Sequence, residues 1–596
     1  MPARDSAFLG VTRSVSGRAW AAREAEPELV RIHQTRLGLD EPLARALASR
    51  GVGAEEGESF LAPTLKTLFP DPSSFVDMDL AARLIVDALE VGTPITVFAD
   101  YDVDGASSAA LLVRWFRALG VTLPIYVPDR LTEGFGPTPG AFQAIKASGA
   151  GLVVTVDCGA AAHDALAVAE EIDLPVVVID HHLMRERPRG AAALVNPNQP
   201  GCASGQGVLA AAGVTFVLLA ALNREARRRG LFKGLREPDI RAWLDLAALG
   251  AICDVTRLVG FNRALASQGL KVMSRWANPG LAALLEVAGV PAKAAGVFEA
   301  GFVLGPRINA GGRIGRADLG AELLSTDDPD RARVLAQELD ALNAERKAIE
   351  ARILDEAISQ LEHADNQGVE APALVVAREG WHPGVVGIVA SRLRERYRRA
   401  TVVLGLDPAT GLAKGSGRSQ PGVNLGAAVN AAYEAGLLMA GGGHAMAAGM
   451  TLRADAVPEL RAFLCERLSA EADRAIQTDA LEIDALTSPS GAKGALEAFA
   501  CLAPFGPGNP EPVFALASAR IERAEPLRGG HIRCDLADLG GSRLKAIAWR
   551  AGDTPLGTRL LAGGASVHVA GRLKRDTWQG RDGAQLEIDD LADAAG

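Results

Sequence analysis

Apolar runs that end on acidic residues set the pattern in the first half of the chain. Ile95–Ala99 is short, apolar and partly β-branched, as a strand buried on both faces should be, and Leu111, Leu112, Trp115 and Leu119 then recur at helical spacing. Between them lies Asp100-Tyr-Asp102-Val-Asp104-Gly105. Residues two apart in an extended chain point the same way, so these three carboxylates can converge, and Gly105 allows a tight turn into the helix. A second strand is expected over 121–127. The run 151–156 ends on Asp157, the run 174–179 ends on Asp180-His181-His182, and the apolar segment 246–253 ends on Asp254. Strands alternating with helical patterns predict βαβ units and a parallel sheet, whose strand ends share one edge. The acids and histidines should therefore meet there.

Elsewhere the pattern changes. Residues 1–75 mix helical stretches with Pro and Gly, and 63–74 reads as a linker. The run 207–222 is too short and too rich in Ala and Gly to cross a membrane, and is expected to be a buried helix. Asp328-Pro329-Asp330 starts a charged, periodic stretch with an apolar stripe of Leu335, Leu339, Leu342, Ile349 and Ile353. It predicts a helix about 50 Å long that links two lobes across a cleft. From about 480, strands at 515–524, 531–536, 544–549, 566–573 and 584–591 predict an OB-like barrel. There Arg528, Arg533, Lys545, Arg572, Lys574, Arg575 and Trp578 offer cations and a ring to a single strand.

Composition narrows this little. At 596 residues the chain is too long for one core, and three to five domains are expected; 48% hydrophobic and 22% charged residues say folded and globular. The first ten residues lack the blocks of a signal peptide, and six scattered cysteines without a CxxC pair argue against a disulfide framework or structural zinc site and suit a reducing cytoplasm. The net charge of −10 does not exclude nucleic acid, because a local basic surface decides phosphate binding.

The chemistry lies in the acids. One Asp after a strand is ordinarily a turn former or a helix cap; four in series, one beside paired histidines, point to a metal site. Carboxylates with one or two imidazoles and no thiolate suit Mn²⁺ or Mg²⁺. The candidate ligands suffice for two ions sharing a bridging carboxylate, an arrangement suited to displacement at phosphorus. The residues alone thus read as a two-metal phosphoesterase.

Asp-Tyr-Asp-Val-Asp-Gly, Val-Asp157-Cys-Gly, Asp180-His-His and Asp254 resemble the four ordered motifs of the DHH phosphoesterase superfamily. Gly305-Pro-Arg307-Ile-Asn309-Ala-Gly-Gly-Arg313, Gly380-Trp-His-Pro-Gly384, Gly415-Ser-Gly-Arg-Ser419 and Gly441-Gly-Gly-His444 resemble the associated DHHA1 domain. With Leu502-Ala-Pro-Phe-Gly-Pro-Gly-Asn-Pro-Glu-Pro-Val-Phe514, the set is similar to the RecJ family of single-stranded-DNA exonucleases and spans about residues 90–515.

The resemblance implies an α/β protein. Its expected parts are an N-terminal extension (1–75), a parallel-sheet DHH catalytic domain (76–320), a connecting long helix (321–365), a DHHA1 domain (366–475) and an OB-like nucleic-acid-binding barrel (476–596). It implies 5′→3′ hydrolysis of single-stranded DNA to 5′-mononucleotides in DNA repair and recombination, with two divalent ions, Mn²⁺ or Mg²⁺. Asp102, Asp104, Asp157, His181 and Asp254 are the expected metal ligands, with Asp157 as the bridge. Asp100 is a further candidate, since Phe98 stands where other members carry a histidine. His182 is expected nearer the scissile phosphate. Arg130, Arg307, Asn309, Arg313, Ser416, Arg418, Ser419 and His444 are expected along the nucleotide path, with Phe135 where the family often has Tyr. The implied partners are single-strand-binding protein and a RecQ-type helicase; a monomer without membrane attachment is expected. A phosphodiesterase for short oligonucleotides or cyclic dinucleotides, and a DNA-binding scaffold without catalysis, are the alternative readings.

Overall fold

In the computed structural model, residues 7–130, 133–134, 136–363, 368–564, 566–576 and 582–594 are described. They form two compact units. One comprises the described residues up to Pro306 with Asp318–Ala336 and the described residues from Ala480 onward; the other comprises Arg307–Ala317 and Gln337–Asp479. The helix Pro329–Glu362 begins in the first unit and ends in the second.

The first unit is built on a five-stranded parallel sheet, in the order Ile125–Tyr126, Ile95–Ala99, Leu152–Val156, Val176–Ile179, Ala191–Val195. The three middle strands are apolar on both faces because both are covered. On one face Phe98, Val153, Val176 and Val178 pack with Phe142, Ile145 and Leu166 of the helices Pro139–Ala147 and His163–Glu171. On the other, Val97, Val154, Val156, Val177 and Ile179 are fully buried. The strand expected over 121–127 contracts to the edge pair Ile125–Tyr126.

Two expectations need correction. The segment 246–253 is not a strand; it lies in a helix, Leu244–Cys253. Five of its eight residues are Ala or Leu, strong helix formers, with Ile252 as the single β-branched residue, and Leu244–Ile252 is buried on every side, so no helical period marks it. The stretch 63–74 is not a free linker either. It holds the short helix Leu65–Leu68, and Phe69 meets Phe216 and Phe261 edge to face, with centroids 6.3 and 5.2 Å away. The buried helix is present as Ala211–Arg229.

Asp245, in the first turn of Leu244–Cys253, yields a stability prediction. Burial raises its carboxyl from 3.8 to about 6, against the weaker opposing effect of its hydrogen bond from Leu246 N–H. A carboxyl that holds its proton more tightly folded than unfolded costs stability as pH rises from about 4 to 6, approaching ~3 kcal/mol above that. Asp245→Asn should therefore raise the denaturant midpoint at pH 8, with the gain shrinking as pH falls to 5. A gain that does not depend on pH would refute this origin.

The second unit carries a mixed sheet in the order Ala440–His444, Ala447–Arg453, Leu412–Arg418, Ala400–Asp407, Ala373–Glu379. Ile353, Ala357 and Leu361 of the long helix pack on Leu374, Trp381 and Val389.

At the C-terminal side of the first unit, Phe514–Leu527, His531–Ala537, Arg543–Ala548, Gly583–Asp593 and Ser566–Asp576 pair in that order, and the last pairs back with the first to close a five-stranded barrel. Its core extends onto the N-terminal segment: Leu43, Leu47 and Phe60 share one apolar cluster with Phe514, Leu536 and Val569. The N-terminal strand Ala19–Ala22 also pairs in parallel with Ala480–Ile483.

Candidate metal and nucleic-acid site

Three strand ends and two helix ends supply the acids. Asp100 follows the first strand. Asp102 caps the helix Val103–Ala118, accepting from the N–H groups of Asp104 (2.8 Å) and Gly105 (3.1 Å). Asp104 is 1% exposed; its two oxygens accept from Ala211 and Ala212 N–H, at 2.6 and 2.9 Å, at the start of Ala211–Arg229. The positive end of that helix favours the carboxylate there. Asp157 sits at φ +60, a strained backbone for a residue with a side chain, of the kind found where function demands it. Asp254 caps the C-terminus of Leu244–Cys253. Glycine is required at two close approaches: a Cβ at Gly105 would overlap the Asp100 carbonyl, and one at Gly250 would lie 2.5 Å from Asp104 Oδ1.

His181 stands at the centre. Its Nε2 lies 3.3 Å from Asp157 Oδ1, 3.6 Å from Asp254 Oδ2 and 3.8 Å from Asp104 Oδ2, buried and without a hydrogen-bond partner; Asp100 Oδ1 is buried and unpartnered too. Ligand atoms of Asp157, His181 and His182, of Asp104, His181 and Asp254, and of Asp100, Asp102 and Asp157 each gather within 4.8 Å. Electrostatics describe the strain of this crowd. Burial, then the charge of Asp102, raises Asp100 and Asp254 to about 7; burial and neighbouring carboxylates hold Asp104 and Asp157 well above the usual range. Burial, then the charge of His182, pushes His181 down to about 4, so it presents a neutral ring and a lone pair. An unpartnered carboxylate oxygen and a neutral imidazole among crowded acids fit hard divalent cations; of the three sets, Asp157 belongs to two and His181 to two.

His182 differs. Its Nδ1 bonds Asp180 Oδ1 at 2.7 Å, which raises the ring to about 9, while half of the side chain stays open to solvent. Burial would raise Asp180, but the His182 contact and the N–H of Ala160 outweigh it and hold the carboxyl at about 2. Asp180, which the motif reading left without a role, is thus the residue that orients His182. Asn196 and Asn198 donate to the carbonyls of His182 and His181, at 2.9 and 2.7 Å. Two asparagines just beyond the strand Ala191–Val195 were the only sequence signal for them.

The other expected residues divide. Arg130 lies in the first unit, its guanidinium 5.5 Å from the Tyr101 ring centre; Phe135 and Trp578 lie outside the described residues. Arg307, Asn309, Arg313, Ser416, Arg418, Ser419 and His444 belong to the second unit. Arg307 pairs with Asp340 (2.8 Å), Arg313 donates to Gly384 O (3.0 Å), Asn309 is half-buried, and His444 is exposed on the edge strand. The segment 415–418 is not an open loop: it lies in a strand paired on both sides, so the ladders engage its amides. What it offers is side chains. Ser416 Oγ and Arg418 Nη2 both lie 3.3 Å from where a Cβ at Gly387 would stand, in the first turn of Val386–Tyr397. Ser419 faces inward, 1% exposed, and its hydroxyl donates to Val423 O.

The barrel's cations are largely matched within it. Lys545 pairs with Asp576 (3.0 Å), Lys574 with Glu511 (2.6 Å), Arg572 with Asp589 (3.4 Å), Arg575 with Asp582 (3.5 Å) and Arg533 with Glu525; Arg528 is exposed. A ring that the pattern did not single out, Trp549, is 54% exposed and packs edge-on against His531.

Parallel sheet and carboxylate–imidazole cluster define a phosphoesterase of the DHH class: the DHH family, N-terminal domain, matches residues 94–251, the DHHA1 domain 370–470 and the RecJ OB domain 483–590. The chain belongs to the RecJ family of single-stranded-DNA-specific exonucleases. It is 35% identical over 580 residues to the RecJ exonuclease of Bacillus subtilis, covering 96% of this chain and 70% of that one. To that of Escherichia coli it is 35% identical over 563 residues, covering 92% and 96%. The crystal structure of RecJ in complex with Mn²⁺ from Thermus thermophilus superimposes with a TM-score of 0.77 at 32% identity, over 97% of this chain and 80% of that one; its Mg²⁺ complex gives 0.72 at 30%, over 97% and 79%. Among the described residues no helix is long and apolar enough to cross a membrane.

Proposed function

We propose that the protein is a metal-dependent exonuclease on single-stranded DNA, working from the 5′ end and releasing 5′-mononucleotides. The observation that carries this reading is the buried, unpartnered His181 Nε2 facing three carboxylates from separate elements. Asp100, Asp102, Asp104, Asp157, His181 and Asp254 would hold divalent ions, whose chemistry would be to activate water and to neutralise charge on the phosphoryl oxygens. The chain's own groups do the rest. Asp180 fixes His182 through Nδ1 and leaves Nε2 for the scissile phosphate. The full set of candidate ligands argues against a non-catalytic scaffold, and the OB domain against an enzyme for dinucleotides. Digestion of end-labelled single strands with Mn²⁺ or Mg²⁺, following product size from each end, tests it: mononucleotides should leave from the 5′ end, and release from the 3′ end would refute it.

Two-metal chemistry has no preferred strand end, so polarity needs its own cause. The convergence of Ser416 and Arg418 on the helix start at Gly387 supports a 5′-phosphate pocket. Charge-assisted contacts to phosphate are worth roughly 1.5–3 kcal/mol, so Arg418→Ala should slow cleavage of 5′-phosphorylated strands about ten- to a hundredfold. A 5′-hydroxyl strand should lose less. Additive effects of mutation and dephosphorylation would mean that Arg418 does not read the phosphate. Single-strand-binding protein and a helicase are the partners this reading implies, in the cytoplasm, a setting that six unpaired cysteines support.

A further inference from the structure

We infer that the loop 502–510 is a latch that positions the metal ligand Asp254, tying the ion site to the docking of the barrel. The inference rests on the metal reading given above.

After Asp254 the chain reverses at Val255, φ +59, into a turn that leads to the helix Gly260–Met273. Local groups hold the turn: Thr256 Oγ1 donates to Ala251 O, and Asn262 Nδ2 donates to Thr256 Oγ1 and Arg257 O, all at 2.9 Å. A further hold comes from the C-terminal part of the chain, where Pro507 O accepts from Leu258 N–H at 2.7 Å. The approach is close. A Cβ at Gly506 would stand 2.9 Å from Leu258 Cδ1, and one at Gly508 3.2 Å from Val259 Cγ1.

The loop itself is pinned by the neighbour of Asn262. Arg263 is 1% exposed; its guanidinium donates to the carbonyls of Phe60, Leu502, Ala503 and Pro504 and lies over the Phe60 ring at 3.9 Å. A buried cation is tolerable only when its donors are met, so these carbonyls must stay where they are. Asn509, fully buried, donates to Leu502 O and Pro504 O at 2.7 and 2.8 Å, and its own oxygen accepts from Arg50 Nε. Adjacent residues of one helix thus hold the ligand-bearing turn and the loop behind it.

A role confined to stability would leave ion affinity alone, and that difference is measurable on the full chain without DNA. Asn509→Asp keeps the size and the acceptor toward Arg50 but loses both donors. It should weaken Mn²⁺ binding, by calorimetry or Mn²⁺ paramagnetic resonance, about tenfold, the scale of groups that orient ligands. Leu536→Ala, in the barrel core and outside the loop's hydrogen bonds, should lower the melting temperature yet leave Mn²⁺ affinity intact. Should Asn509→Asp not fold, Arg263→Lys keeps the charge, loses the planar fork, and carries the same expectation. Unchanged Mn²⁺ affinity in a folded latch variant, or an equal loss in Leu536→Ala, would overturn the latch. A parent protein without Asp157-dependent Mn²⁺ binding would overturn the metal reading, and the latch with it.

Discussion

Asp157→Asn should abolish cleavage in practice, lowering single-turnover hydrolysis at saturating Mn²⁺ by ~10³-fold, because losing one partner from a buried charge cluster costs about 3–5 kcal/mol and each 1.36 is tenfold. Asparagine is the informative choice: it keeps the shape and tolerates the φ of +60 at which Asp157 stands. Stability should move in opposite directions with and without the ion. In chelator, the variant should melt higher than the parent, since burial and the charges of Asp104, Asp102 and Asp100 all disfavour the Asp157 carboxylate. With Mn²⁺, the parent should gain about 2.7 kcal/mol at a hundredfold excess over its dissociation constant and the variant much less. Binding of a single strand in chelator should change little. Near-normal turnover, or an undiminished Mn²⁺-induced rise in melting temperature, would exclude Asp157 as a shared ligand.

Gly250→Ala should cost nearly as much, against what helix propensity says. In a helix interior alanine is better than glycine by about 1 kcal/mol, so a purely local account expects a more stable protein. The added methyl, however, would stand 2.5 Å from Asp104 Oδ1 and 2.6 Å from the Ala212 side chain. Asp104 cannot swing away without giving up the amides of Ala211 and Ala212. Either the carboxylate moves off the ion site or the helix Leu244–Cys253 shifts and takes Asp254 with it. Activity should fall about a hundredfold or more, the order expected for losing a ligand's orientation. Gly494→Ala is the matched control: also helical, with open space where the methyl would go, it should stabilise and leave cleavage unchanged. Wild-type activity in Gly250→Ala would mean that the packing around Asp104 is slack.

How much of this could be read in the chain depends on how local each cause is. Asp100, Asp157 and Asp180 were legible because a strand buried on both faces must be an apolar run, and its end is visible as the first charge. The barrel strands were legible, to within a few residues, as short runs set between Gly-rich turns. Asp254 was found but misplaced, since a helix buried all round shows no period. Gly415-Ser-Gly-Arg carries no strand signal, because glycine is common in loops. It is a strand because Gly415 lies against Leu404 and Gly417 against Leu425, where a Cβ would stand 2.6 Å from either side chain. The amides that hold Asp104 come from alanines over a hundred residues downstream, and an alanine's N–H leaves no mark in a sequence. Nor do the carboxylates that neutralise the barrel's cations, since each pair depends on strand register.

The interruption of the first unit by residues 337–479 has a consequence for how the protein is made. All the candidate metal ligands lie between Asp100 and Asp254, yet the strand that covers Trp20 and the loop that holds Leu258 follow the inserted unit. At roughly 5–20 residues per second, the ribosome needs on the order of ten to thirty seconds to cross the gap between 306 and 480. Throughout that interval Leu43, Leu47 and Phe60 have no barrel to pack against. The nascent chain therefore carries the carboxylate cluster and an uncovered apolar patch together, a state that ends only when the barrel closes over it.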